Sequence, residues 1–368
     1  MHAPSLYALK DPGRILTPAL LIYPELVESN IKVTLKLTGN DPNRWRPHIK
    51  TAKIAAVIRQ LIGHGIRNFK CSTTLELLTA CEAGAEDVLL AFPVTGANAS
   101  RAIAIANRFP KTKVSVLIES QEQAARWRDS GLGIFIDINP GMNRTGIGQE
   151  RVDDIRDLAR QIGGALRGLH YYDGHVKGDD AHAGYDRLVE IVRTLSRDGI
   201  EPREVITSGT PAAPFALTHP GLRGGPFVHR ISPGTVVYND LTSTKQLPDL
   251  GYVPAALVLA TVISHPAPNM FTCDAGHKSV SADAGVPTCE VAGHPHLKPM
   301  KPSEEHLPID AGAAGQVPAI GSHVYLIPRH VCPTVNNFDE ALMVVDGEIR
   351  GIERVTARGH ESPLTTAA

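Results

Sequence analysis

A lysine, an arginine, a histidine–tyrosine–aspartate cluster and two loops of small residues each stand where a short apolar run of this chain ends. Lys50 closes Arg46-Pro47-His48-Ile49-Lys50, and Arg144 lies in Pro140-Gly141-Met142-Asn143-Arg144-Thr145-Gly146. His170-Tyr171-Tyr172-Asp173-Gly174-His175 ends another run, and Thr207-Ser208-Gly209-Thr210-Pro211 and Ser232-Pro233-Gly234-Thr235 follow two more. A lysine so placed is either a solvated end residue or the partner of a carbonyl cofactor in a Schiff base. Small-residue loops offer N–H groups and hydroxyls to an anion, and Gly234 lets the chain approach it closely; ordinary turn chemistry is the plain alternative. Lysine on one side and phosphate-type loops on the other fit pyridoxal 5'-phosphate, whose aldehyde and phosphate need anchors at opposite sides of a pocket. His170 and Tyr172 join Lys50, Ser208, Gly209, Thr210, Gly234 and Thr235 as candidate cofactor-binding residues.

His330 and Cys332 form a second constellation. Read as the continuation of a strand, the spacing of two puts both side chains on one face. Imidazole plus thiolate suits zinc or another borderline transition metal, with the remaining positions left to water or substrate. The bland alternative is a hairpin edge with a buried cysteine and a surface histidine. With sixteen histidines in the chain, His306 beside Glu305 is the further one to watch.

These groups need a scaffold that gathers strand ends. Eight short β-rich runs occupy the first two-thirds: Arg44–Ile49, Asn68–Cys71, Val88–Phe92, Val114–Ile118, Gly133–Ile138, Leu166–Tyr171, Glu204–Thr207 and Phe227–Ile231. Between them, Thr51–Ile62, Thr74–Ala83, Ala97–Arg108 and Asp180–Ser196 carry helical apolar spacing, and Pro24–Leu37 does so ahead of the first run. Eight strands with intervening helices predict an α/β fold, a (β/α)8 TIM-type barrel over residues 20–245, with reactive groups at the strand ends; a doubly wound open sheet is its rival. From about Leu247 the long helices stop, so residues 246–368 are expected to form a mostly β domain carrying the metal pair, with residues 1–19 pairing onto it.

Composition bounds the rest. The chain has 368 residues, 42% hydrophobic and 20% charged, enough for a large core and against wholesale disorder. Thirty-seven basic and 38 acidic residues leave no cationic footprint for nucleic acid. The longest nearly unbroken apolar run, Ala255 to Ile263, is too short to span a bilayer, and five scattered cysteines suit a reduced, cytoplasmic compartment better than a disulfide framework.

Taken together, Arg46-Pro47-His48-Ile49-Lys50, the Gly141-x-Asn143-Arg144-Thr145-Gly146 loop, Pro233-Gly234, Asp274-Ala275-Gly276 and His330-Val331-Cys332-Pro333-Thr334 resemble the metal-activated D-threonine aldolase/D-serine dehydratase family, in the right order and over nearly the whole chain. The resemblance implies a pyridoxal-phosphate barrel of the alanine-racemase type, a C-terminal β domain and a homodimer. It implies that Lys50 holds the cofactor, that Arg144 lies beside it, that the Ser208 and Gly234 loops take its phosphate, and that His330 and Cys332 bind a divalent metal, zinc or manganese. The substrate implied is a small 3-hydroxy-D-amino acid whose hydroxyl the metal binds.

Two reactions are then open: retro-aldol cleavage to glycine and an aldehyde, or dehydration of D-serine or 3-hydroxy-D-aspartate to a 2-oxo acid and ammonia. His-x-Cys is the dehydratase form of the metal pair, where aldolases carry His-x-Asp. The catalytic histidine of the aldolases falls at Gly178, so His175 or His182 would have to substitute, and His175 is the catalytic candidate. The runs Val262–Pro268 and Asp274–Ser279 are closer to aldolases, and cleavage of D-threonine-like substrates is the preferred expectation. A non-catalytic pyridoxal-phosphate-binding protein would lack the β domain and the metal pair, and an amino-acid racemase has no need of a metal.

Overall fold

The computed structural model describes residues 6–176, 180–313 and 316–364. The chain divides into two compact units. One comprises Met1–Val33, Thr51–Val57 and Thr235–Gly359, and the other Thr34–Lys50, Ile58–Gly234 and His360–Ala368. The β-rich unit thus runs from Thr235 to Gly359 at its C-terminal end and also includes the first strand, β1 (Ala19–Ile22), and the start of α1 (Pro24–Leu37).

The second unit repeats strand and helix. After α2 (Ala55–Gly63) come β2 (Asn68–Cys71), α3 (Thr74–Glu82), β3 (Asp87–Leu90), α4 (Gly96–Arg108), β4 (Lys113–Ile118), α5 (Gln121–Trp127) and β5 (Gly133–Asn139). A two-residue β6 (Ile147–Gly148), α6 (Val152–Ile162), β7 (Leu166–Tyr171), α7 (Asp180–Arg197), β8 (Glu204–Thr207), α8 (Ala213–Thr218), α9 (Pro220–Arg223) and β9 (Val228–Ile231) complete it. The strands pair in parallel in the order β2-β3-β4-β5-β7-β8-β9. Residues 45–49 supply the eighth stave: Trp45 bridges Ile231 and His48 bridges Lys70, both in parallel. Arg46 N–H donates to Ile231 O at 2.9 Å, and Lys70 N–H to Pro47 O at 3.0 Å. Pro47 has no N–H to give the ladder, so this stave pairs by bridges rather than as a full strand.

Side chains two apart along these strands fill the barrel in layers. At its base Arg46 is fully buried and bidentate to Glu204, at 2.8 and 3.0 Å, while its third nitrogen donates to Asp87 at 2.8 Å. Arg167 completes Asp87 at 2.7 Å, and Arg230 pairs with Glu204. One layer up, Leu89, Leu117, Phe135 and Ile206 pack together. The next inward position on β5 is Asp137, where the candidate site begins.

In the β-rich unit α10 (Leu241–Gln246) precedes β10 (Ala256–Ser264), β11 (Met270–Cys273), β12 (Cys289–Val291), β13 (Lys298–Pro299), β14 (Leu307–Asp310), β15 (His323–Pro328), α11 (Val331–Asn336), β16 (Glu340–Val345) and β17 (Glu348–Arg354). They join one mixed sheet with β1 in the order β13-β14-β11-β10-β1-β16-β17, β15 pairing with both β10 and β12. Its core includes Val258, Ala260, Val262, Phe271, Leu307 and Leu326. Among the described residues no helix is long and apolar enough to cross a membrane.

Candidate active site

Lys50 is half-buried and follows the closing stave, its backbone N–H donating to His48 Nδ1 at 3.2 Å. Gly234 lies against that stave: a Cβ there would stand 2.2 Å from His48 O, so only glycine lets the chain after β9 approach so closely. The loop after β8 is buried from Ser208 to Thr210. Ser208 takes a left-handed backbone (φ 62°), its hydroxyl is buried without a hydrogen-bond partner, and Gly209 abuts the Tyr172 ring. A buried, unsatisfied hydroxyl in a small-residue loop is what a phosphate oxygen would complete.

The Arg144 loop is shaped by its own polar groups. Asn139 Oδ1 accepts from Gly141 N–H and Asn143 N–H at 2.9 and 3.1 Å, and Asn143 adopts φ 56°. Gly146 has φ 96°, and a Cβ there would meet Asn139 N at 2.8 Å. The loop thereby turns back onto β5 and presents Arg144, exposed, with its guanidinium carbon 4.8 Å from the Tyr172 ring centroid.

Beneath Tyr172 lies a group that sequence reasoning missed. Lys70 of β2 is 2% exposed, its Nζ 3.4 Å from His170 Nε2 and 5.6 Å from the Tyr172 centroid. His170 Nδ1 is 2.7 Å from Asp137 Oδ1, and Thr145 Oγ1 donates to Asp137 Oδ2 at 2.7 Å. Burial drives the Lys70 pKa down to about 7, with the positive charge of Lys50 assisting, Asp137 resisting, and Arg46 and Arg144 assisting. Burial and the charge of Lys70 likewise hold His170 below the ordinary histidine range, against Asp137. The only signal in the sequence was a lysine in the middle of an apolar strand pattern.

Tyr171 faces α7. Tyr185 donates to Asp173 Oδ2, and burial pushes the Asp173 carboxyl up to about 6 despite that bond. His175 is exposed in the following turn, and His182 is bonded to Phe215 O at 3.2 Å. Gly178 lies outside the described residues.

In the β-rich unit the metal pair requires a correction. The strand β15 ends at Pro328, and His330 is the N-cap of α11 with Cys332 in its first turn, so the two do not share a strand face. Asp240 Oδ2 accepts Val331 N–H at 3.1 Å, and Pro333 has no N–H for a ladder; together they turn the chain into a helix. The two side chains nonetheless interact. Burial works against a charged His330, but Cys332 and then Asp283, whose Oδ2 is 2.6 Å from Nδ1, outweigh it and raise the pKa to about 9. Cys332 Sγ is 3.0 Å from Thr51 Oγ1 and 3.6 Å from Thr235 Oγ1. Among the described residues no group of three or more His, Cys, Asp and Glu side chains is set to hold a metal. A nitrogen and a sulfur donor side by side still suit a divalent ion that keeps open positions. Glu305 pairs instead with Lys278 at 2.9 Å.

A parallel barrel with a lysine just after the stave that closes it and small-residue loops after its last two strands, joined to a mixed β unit, defines the alanine-racemase-like fold. The chain belongs to the family of the alanine racemase N-terminal domain, whose pattern matches residues 22–241, and a putative serine dehydratase domain matches residues 255–344. The D-threonine aldolase of Arthrobacter sp. is 26% identical over 370 residues, 95% of this chain and 94% of that one. The D-threo-3-hydroxyaspartate dehydratase of Delftia sp. strain HT23 is 26% identical over 375 residues, 92% and 97% of the two chains. A solved variant of that dehydratase in its metal-free form has a TM-score of 0.79 at 22% identity, covering 95% of this chain and 99% of that one. The crystal structure of D-threonine aldolase from Filomicrobium marinum superposes with a TM-score of 0.81 at 25% identity, over 94% of this chain and 97% of the other.

Proposed function

We propose that this chain is a pyridoxal-phosphate- and divalent-metal-dependent lyase for 3-hydroxy-D-amino acids, cleaving D-threonine-like substrates to glycine and an aldehyde. The observation that carries the reading is Lys50 sharing a barrel unit with the buried, unpartnered Ser208 hydroxyl and its glycine-bearing loop. The similarity to aldolases and a dehydratase of β-hydroxylated D-amino acids over nearly the whole chain supports it.

When bound, the cofactor supplies an electron sink for negative charge at the substrate α-carbon, and the metal a Lewis acid for the hydroxyl oxygen. In this reading Lys50 holds the aldehyde end. Ser208, Gly209, Thr210, Gly234 and Thr235 hold the phosphate, and Arg144, His170 and Tyr172 orient the ring. His330 and Cys332 hold the metal, zinc or manganese, and the metal-free form of a solved relative supports a metal site in the family. His175, exposed beside solvent, is the group assigned to carry a proton to or from the substrate. A homodimer in the cytoplasm belongs to the same proposal.

Dehydration is the second reading, favoured by one residue: Cys332, where the aldolases of the family carry an aspartate. Incubation with D-threonine, D-serine and 3-hydroxy-D-aspartate decides between them. Glycine plus an aldehyde supports the main reading, a 2-oxo acid plus ammonia the second, and no turnover of any of the three contradicts both.

A further inference from the structure

A buried amine with no carboxylate directly on it is costly, and perturbed groups of this kind cluster at functional sites. Lys70 is such an amine, and its surroundings define its hydrogen bonding. A carboxylate oxygen of Asp137 accepts from His170 Nδ1, so Nδ1 carries the ring proton and Nε2 presents a lone pair. Lys70 Nζ therefore donates to Nε2. The row Lys70 → His170 → Asp137 runs across the barrel from β2 to β7 to β5, and Thr145 ties its far end to the loop that carries Arg144.

We propose that Lys70, through His170 and Asp137, is a positioning residue that sets the charge beneath Tyr172, one of the side chains assigned to orient the cofactor held at Lys50. The inference rests on the reading of the site given above and adds a residue to it. The charged and titratable groups facing Lys70 are Lys50, Arg46 and Arg144, which oppose its proton, Asp137 and Asp173, whose negative charges favour it, His170, and Tyr172, whose ring lies over the amine. Its pKa of about 7 means that loss of one proton removes one positive charge from this enclosed space near neutrality, leaving the amine still able to donate to Nε2. His170 keeps its Nδ1 proton throughout.

The test follows the visible absorbance of the cofactor-loaded protein against pH, in wild type, Lys70→Met and Lys70→Arg. The wild-type band should shift through a transition near neutrality. Lys70→Met, with no charge, should show the high-pH spectrum throughout, and Lys70→Arg, charged at every pH, the low-pH spectrum; a transition unmoved in both overturns the inference. Should a variant not fold, 15N-histidine spectra of the wild type decide it. The His170 Nε2 signal should step between about pH 6 and 9 while Nδ1 stays protonated, and two flat signals overturn the inference. Protein that binds the cofactor at Lys50 yet shows no such step sinks this inference alone. Protein that takes up no cofactor sinks the reading of the site.

Discussion

Asp137 connects more of the candidate site than any residue singled out for its chemistry, since it orients His170 with one oxygen and anchors Thr145, next to Arg144, with the other. Lys70 makes a stability prediction at this scale. Its folded pKa of about 7 lies below the ordinary 10.5, so between those values the unfolded chain binds a proton that the folded chain does not. Stability must then rise with pH through that window, and the burial cost is fully felt below it. Lys70→Met should flatten that rise and gain on the order of a few kcal/mol at neutral pH, read from denaturant melts at pH values across the window. An unchanged slope would show that Lys70 keeps an ordinary pKa. Arg144 predicts the opposite division of effects: being exposed, Arg144→Ala should alter the cofactor spectrum and slow turnover with little change in melting temperature. A lower melting temperature beside an unchanged spectrum would reduce it to a loop-closing residue.

At the scale of elements, the eight staves and several of the helices between them are legible because alternation of apolar strand and amphipathic helix is written locally. Pro24–Leu37 forms the helix expected there, and Asn68–Cys71, Leu166–Tyr171 and Glu204–Thr207 form the strands. What sequence could not show was pairing. Arg46 reads as part of a motif beside Lys50, yet its side chain is turned to the barrel base, where it meets Glu204, 158 positions away. Lys70 gives no signal of its own burial in the sequence, because alternation along a four-residue run does not tell a buried charged residue from an exposed one. The strand reading of His330 and Cys332 failed because Asp240, remote in sequence, supplies the cap that starts α11. Arg46 yields the prediction for this scale. Removing one member of a buried ionic cluster leaves its partners uncompensated, so Arg46→Ala should cost about 3–5 kcal/mol in urea unfolding. A loss within 1 kcal/mol would mean that water replaces the guanidinium at no penalty.

For the whole molecule, the two kinds of bound group should separate experimentally. A metal held by His330 and Cys332 with open positions is not needed to close a fold, whereas a four-ligand structural site is. Chelation should therefore abolish lyase activity while circular dichroism and cofactor absorbance persist, with activity returning on addition of zinc or manganese. Unfolding on chelation would mark a structural metal instead, and Cys332→Ala should weaken metal retention more than cofactor retention. The central claim is that pyridoxal phosphate is carried by Lys50, and borohydride reduction of the purified protein followed by peptide mapping tests it most directly. Lys53 is engaged elsewhere, donating to Ala357 O at 3.0 Å, which leaves Lys70 as the competing amine in the barrel. The account predicts the reduced cofactor on Lys50 alone; label on Lys70, or a colourless protein with no label, would contradict it.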